Sequence, residues 1–292
     1  MLTSIIDKLL VSVIVLLLMT GCATSDPAKP EKSGKIVHVS IDDVEAWGAL
    51  VENEERYDSL FDEPLFALLR ELHEEYGAKF TLYTYPTLKE GRLKITSVPL
   101  KFRDEFRDCS SWLRIGYHWP APQFSEDITV SEFKRGYDMV RNAIGDFADS
   151  TMLATALRVH YYYSPDSLLN QLDGVHTLLC ADSDGRVSYD LDTDEASTVW
   201  TRGRLRKNDR LYLRTDLRTE NRVDIRSALE KRCEADTLVL FTHHWALGLT
   251  HAEGVVGMAK HIYHQFSKNN NLRNFKDAVA WLYENGYEFS FL

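Results

Sequence analysis

Two kinds of segment alternate along this chain, and that alternation limits its fold more than any other feature. Short apolar runs such as "KIVHVSI" and "TLVLF" are separated by stretches whose apolar residues recur at helical spacing. Strands that are apolar throughout suit a sheet covered on both faces, and strand, helix, strand in series suits parallel pairing. The pattern therefore predicts an α/β domain.

The first strand, in "KIVHVSIDDVEAWG", stops at two adjacent acids, Asp42 and Asp43. In "SLFDEPLFALLRELHEEYG", Leu60, Phe61, Leu65, Leu68, Leu69, Leu72 and Tyr76 mark one helix face, and Gly77 stops the helix. "AKFTLYTYP" reads as a strand, "VPLKFRDEFRD" as a short helix and "WLRIGYH" as a strand. A helix follows in "TVSEFKRGYDMVRNAI", with Thr129 and Glu132 at capping-box spacing. "LATALRVHYYY" reads as a strand, "PDSLLNQLDG" as a helix opened by Pro165, and "VHTLLCA" as another strand. Asp182 to Asn221 is polar and irregular, a hairpin or an excursion over one face. "RSALEKRC" (helix), "TLVLFTHHW" (strand), "NLRNFKDAVAWLYENG" (helix) and "YEFSFL" (strand) complete the chain.

Lys8 precedes an apolar run from Leu9 to Met19, too short to cross a bilayer but suited to a secretion signal. Residues 1–21 read as a removed leader, 22–35 as a polar, Pro-containing tether, and 36–292 as one folded domain. Gly21 before Cys22, with Met19 upstream, resembles a bacterial lipoprotein signal. That resemblance implies lipid on Cys22 and a protein anchored in the cell envelope, and Ala23 resembles the signal for onward transport to an outer membrane. A net charge of −10, from 34 basic and 44 acidic residues, argues against a nucleic-acid partner. Cys109, Cys180 and Cys233 lack the spacing of a zinc knuckle or a disulfide framework. No pattern bears on oligomeric state.

In parallel α/β folds the working groups gather at the C-terminal ends of the strands. Here those ends carry Asp42 and Asp43, then His118, then Arg158 and His160, then Asp182, and finally His243, His244 and Trp245. Carboxylates and imidazoles converging at one mouth form a ligand set for zinc or another divalent metal. Trp47, Trp119 and Trp245 lie just past strand ends, where indole faces can stack on sugar rings. The acidic run "ADSDGRVSYDLDTDEAS" lacks EF-hand spacing and reads as a solvated loop. No nucleotide-binding loop and no GxSxG elbow is present, which argues against a nucleotide enzyme and a serine esterase.

In order, these segments resemble the polysaccharide deacetylase superfamily, the NodB-homology group related to carbohydrate esterase family 4. "VSIDDV" is similar to its Thr-Phe-Asp-Asp-Gly motif, "AKFTLYTY" to its Ala-Thr-Phe-Phe strand, and "IGYHWPAP" to its His-Ser/Thr-x-x-His metal motif. "LRVHYYY" is similar to Arg-x-Pro-Tyr, "LVLFTHHW" to the late strand ending in histidine, and "NGYEFSFL" to the closing Gly-Tyr strand. The resemblance implies an irregular (β/α) barrel of about seven parallel strands. It also implies one divalent metal, with zinc expected, and hydrolysis of an acetyl group on a carbohydrate substrate. Carried over by position, Asp42 is the general base, Arg158 the partner that keeps it ionised, His243 the general acid, Asp43 and His118 metal ligands, and Tyr161 the motif tyrosine near the substrate.

Two departures stand out. Pro122 occupies the place of the second metal histidine, and a proline cannot ligate. His160 is the first candidate to replace it, ahead of Asp182 and His244; loss of the metal would instead leave a silent barrel that binds glycan or a protein partner. Val44 stands where the first motif has glycine, so a different path is expected after Asp43.

Overall fold

The first strand of the chain is also the centre of its sheet. A computed structural model describes residues 30, 32–88, 91–181, 188–249 and 270–292. The leader, Cys22, most of the tether, Asp182, His251, His261 and His264 lie outside the described residues. Strands β1 (Ile36–Val44), β2 (Phe80–Thr84), the small hairpin β3 (Thr87–Leu88) and β4 (Leu93–Lys94), β5 (Leu113–Tyr117), β6 (Ala156–Leu157) and β7 (Thr177–Leu179) come first. They are followed by β8 (Arg204–Lys207), β9 (Arg210–Leu213), β10 (Leu217–Arg218), β11 (Thr237–His243) and β12 (Glu288–Phe289).

One sheet runs β10-β11-β1-β2-β5 with every neighbour parallel, and β12 pairs with the start of β1 before β2 joins it at Val39. A second runs β6-β7-β9 in parallel, with β8 antiparallel at its edge. A parallel bridge between Ile115 and Leu153 links the two on one side. On the other, the single segment 210–218 pairs with β7 through β9 and with β11 through β10. With that segment counted once and β12 set aside at the start of β1, seven parallel strands among the described residues form the irregular barrel, as the motif order implies.

The helices are α1 (Ala46–Glu52), α2 (Pro64–Tyr76), α3 (Arg103–Asp108), α4 (Val130–Phe147), α5 (Asp166–Leu169), α6 (Thr193–Arg202), α7 (Ile225–Glu230) and α8 (Asn271–Glu284). The periodic face of α2 is buried through Leu65, Leu68, Leu69 and Leu72, and Gly77 ends it at φ 67°. The Thr129 and Glu132 capping box opens α4 as its spacing predicts. Cys109, Cys180 and Cys233 are all free. No helix among the described residues is long and apolar enough to cross a membrane.

Three expectations need correction. The segment from 188 to 221 holds the expected hairpin, β8 with β9, but also an unexpected helix: Asp192 and Glu195 form a capping box that starts α6, and Gly203 stops it at φ 78°. The acidity read as loop solvation is in part helix-capping chemistry. The strand expected over 153–163 is only β6, because Tyr161 and Tyr162 take positive φ (56° and 57°) and fold the chain into a tight turn at His160–Tyr162. Trp47 and Trp119, expected at the sugar-binding rim, are core residues. The first turn of α1 carries Trp47 inward among Phe66, Phe106 and Phe147, where its Nε1–H donates to Thr84 Oγ1 at 2.8 Å. Trp119 packs on Phe124, Phe133 and Tyr163.

Glu63 caps α2 by accepting from the Leu65 and Phe66 amides, yet it is buried, and burial pushes its carboxyl up to about 7 against those two hydrogen bonds. A carboxyl raised from 4.5 to about 7 binds more protons folded than unfolded in that window. Its stabilising effect is therefore fully present below about pH 4.5 and is lost as pH rises through 7, an amount of about 3 kcal/mol. Glu63→Gln is expected to remove that slope. Urea unfolding of both proteins across pH 4–8 would show parallel curves if Glu63 were not the source.

Candidate active site

Four strand ends bring ionisable groups to the mouth of a cavity of about 1210 Å³. Asp42 lies opposite His243 in the ladder between β1 and β11. The pairing of β1 with β2 slips between Ile41 and Val44, and Asp43 sits in the slip at φ 54°. A bulge of this kind re-aims a side chain. It lets two consecutive acids serve one site, with Asp42 directed into the barrel and Asp43 at the mouth. Asp43 itself adopts this positive φ, a conformation uncommon for residues other than glycine.

Asp42 is almost fully buried against Arg158, whose Nη1 donates to Asp42 Oδ1 at 3.0 Å and to Ser40 Oγ at 2.6 Å. Arg158 Nη2 donates to Thr215 Oγ1 at 3.1 Å, and its guanidinium lies 4.4 Å from the centre of the Phe241 ring. The pair thus ties β1 to the turn after β6 and to the link between β9 and β10.

Asp43 faces two imidazoles. His118 Nδ1–H donates to the Arg158 carbonyl, so Nε2 is the atom that points into the site. His118 Nε2 is 3.4 Å from Asp43 Oδ1, His160 Nδ1 is 3.6 Å from the same oxygen, and the two nitrogens are 3.1 Å apart. A backbone hydrogen bond from His160 N to His118 O at 2.9 Å fixes the two residues together. Burial, then the nearby His118 and His243, lowers His160 to about 3 against the pull of Asp43, so its ring is neutral. Burial resists charge on Asp43, but the adjacent His118, the Tyr85 hydroxyl and His243 hold its carboxyl well below the usual range.

These three atoms fit a metal. Ligands about 2.0–2.2 Å from a tetrahedral zinc stand about 3.3–3.6 Å from one another. Two of the edges seen here, 3.4 and 3.6 Å, fall on one face of such a tetrahedron, and the third, 3.1 Å between the two imidazole nitrogens, is slightly short of it. Asp43, His118 and His160 are likewise the cluster of described residues whose donor atoms converge closely enough for an ion. The histidine held by a backbone carbonyl through its other nitrogen has the usual arrangement of a metal-ligating imidazole. Pro122 only lines the cavity. His244 also lines the cavity but is outside the donor triangle, its Nδ1 accepting from the Glu45 amide at 3.3 Å.

His243 stands on the other side of Asp43, its Nε2 3.9 Å from Oδ2. Its Nδ1–H donates to Glu220 Oε1 at 2.7 Å, and its backbone N–H donates to Glu220 Oε2 at 2.8 Å. Burial alone would lower the imidazole, but the Glu220 hydrogen bond and the charges of Asp42, Glu220 and Asp43 outweigh it and raise its pKa. Trp245 stacks on the His243 ring at 5.1 Å and donates from Nε1 to Asp43 Oδ2 at 3.0 Å. Trp245 is 63% exposed and Tyr161, stacked on Phe124, is 59% exposed, so two aromatic faces flank the mouth.

Two residues at this site were not legible in the sequence pattern. Glu220 falls inside the segment read as a polar hairpin or excursion, and Tyr85 falls inside the segment "AKFTLYTYP", read simply as a strand. Tyr85 had one local signal, its place just past the end of β2. Glu220 had none.

Fold and site together define an α/β barrel with a carboxylate and imidazole donor set at the C-terminal ends of its strands. No family model matches the chain, and no curated protein matches it. Among solved structures it is similar to 4-alpha-glucanotransferase from Thermococcus litoralis, at 11% identity and TM-score 0.50, over 90% of this chain and 39% of that one. It is similar to a family 4 acetyl xylan esterase from Clostridium thermocellum in complex with cobalt, at 13% identity and TM-score 0.47, over 88% and 87%. It is also similar to the Xyl-CE4 domain of a multidomain xylanase from the hindgut metagenome of Trinervitermes trinervoides, at 10% identity and TM-score 0.46, over 88% and 86%. At these identities the likeness is one of fold.

Proposed function

We propose that this protein is a metal-dependent hydrolase that removes acetyl groups from a glycan. The observation that carries the reading is the triangle of Asp43 Oδ1, His118 Nε2 and His160 Nδ1, whose edges suit a single divalent ion. Zinc is the proposed ion, since two neutral imidazoles and a carboxylate are a common zinc donor set. His160 would take the ligand position left by Pro122.

When bound, the metal would supply Lewis acidity toward the acetyl carbonyl. The remaining work falls to the chain. Asp42, paired with Arg158, accepts the proton of the attacking water. His243, oriented by Glu220, returns a proton from Nε2 to the departing nitrogen or oxygen, so acetate and the free amine or alcohol are the products. Trp245 and Tyr161 offer stacking faces for a sugar ring at the mouth. Anchoring in the cell envelope through Cys22 belongs to the same proposal and rests on the sequence alone.

Elemental mass spectrometry on a soluble form starting near Asp26 tests the reading. The wild type is expected to hold about one zinc per chain and His118→Ala none, as loss of one ligand of three requires. If the wild type stays metal-free after soaking in zinc, the metal-dependent reading fails and a glycan- or protein-binding barrel takes its place.

A further inference from the structure

Tyr85 sits where the metal site would otherwise be open on one side. It is 2% exposed, and its ring packs on both imidazoles, 5.4 Å from the centre of His118 and 5.6 Å from that of His160. Its hydroxyl donates to Asp43 Oδ1, the oxygen that faces the two histidines, and lies 3.0 Å from His160 Nδ1. A phenol has one proton, so donation to Asp43 leaves only lone pairs toward His160. Its backbone is equally fixed, because Thr84 beside it accepts the His118 amide at 2.8 Å and receives the Trp47 indole.

The other oxygen of Asp43 is occupied as well, by the Trp245 indole. Each carboxylate oxygen therefore has its own donor, and the group can rotate neither toward Arg158 nor away from the histidines. Oδ1, the oxygen that faces both imidazoles, keeps a lone pair for a metal.

We propose that Tyr85 is a positioning residue of the metal site, holding Asp43 by its hydroxyl in a one-oxygen ligating pose against His118 and His160. The role rests on the metal-dependent reading above. It acts through Asp43 and not on substrate, so its removal weakens metal binding. Partners that orient a ligand in this way are typically worth about 10- to 100-fold in metal affinity.

The test compares wild type, Tyr85→Phe and Tyr83→Phe. Tyr83 is a matched control: it is also fully buried, two residues earlier on β2, but its hydroxyl donates at 2.7 Å to the Ala156 carbonyl, away from the donor triangle. Zinc affinity is measured by competition with a chromophoric chelator, and unfolding midpoints are measured in chelator to register any purely structural loss. Tyr85→Phe is expected to bind zinc about 10- to 100-fold more weakly. Tyr83→Phe is expected to lose stability and keep wild-type affinity. Affinity of Tyr85→Phe within twofold of wild type, or an equal loss in Tyr83→Phe, overturns the positioning role while the metal site stands. A wild type that binds no zinc removes the function proposed above and this inference with it.

Discussion

Replacing Asp42 with Asn is expected to lower the proposed deacetylation by about 100- to 10,000-fold without releasing the proposed metal. Asp42 is not part of the donor triangle; it faces Arg158 inside the barrel. An amide keeps the size and one acceptor oxygen but cannot take a proton from water. The check is acetate release from acetylated sugars by the zinc-loaded variant, alongside its zinc content. Full activity in a loaded Asp42→Asn protein would remove Asp42 as the base. Loss of zinc together with activity would place Asp42 among the ligands instead.

The second large effect concerns stability. Arg158→Met is expected to cost about 3–5 kcal/mol, because it leaves the Asp42 carboxylate buried with no cation beside it. Both partners are almost fully buried, 1% and 3% exposed at the side chain, so solvent screening does little to soften the loss. Removing both charges together, in Arg158→Met with Asp42→Asn, is expected to recover much of the stability, since a neutral pair avoids the stranded charge. Urea unfolding at neutral pH measures all three variants. A double variant no more stable than Arg158→Met would show that the guanidinium matters through its contacts with Ser40, Thr215 and Phe241, not through Asp42.

These outcomes connect the barrel to its chemistry. Arg158 stands where the proposed base, the His118 carbonyl contact and the join between the two sheets meet. A residue so placed couples fold stability to site geometry. Glu220 has a comparable position on the other side, accepting from both the ring and the backbone of His243.

The sequence by itself determined the succession of strands and helices along the chain, the helices with explicit caps, and the idea that working groups collect at strand ends. Apolar period and cap residues are local signals, and they survive in α2 and α4 almost unchanged. Asp42, Asp43, His118, Arg158 and His243 could be picked out because each stands at or just past the end of a strand or strand-like run. Only the tertiary structure decided which side chains meet. Trp47, Trp119 and Trp245 share the same local signature, yet two are core and one reaches the mouth, because the chain turns inward after β1 and β5 and outward after β11. The third donor, His160, depends on two left-handed tyrosines that cut a strand short. Tyr85 and Glu220 meet Asp43 and His243 across 42 and 23 residues of chain. Sequence period tells which face a residue takes; barrel curvature, strand register and one bulge at Asp43 fix which distant faces converge.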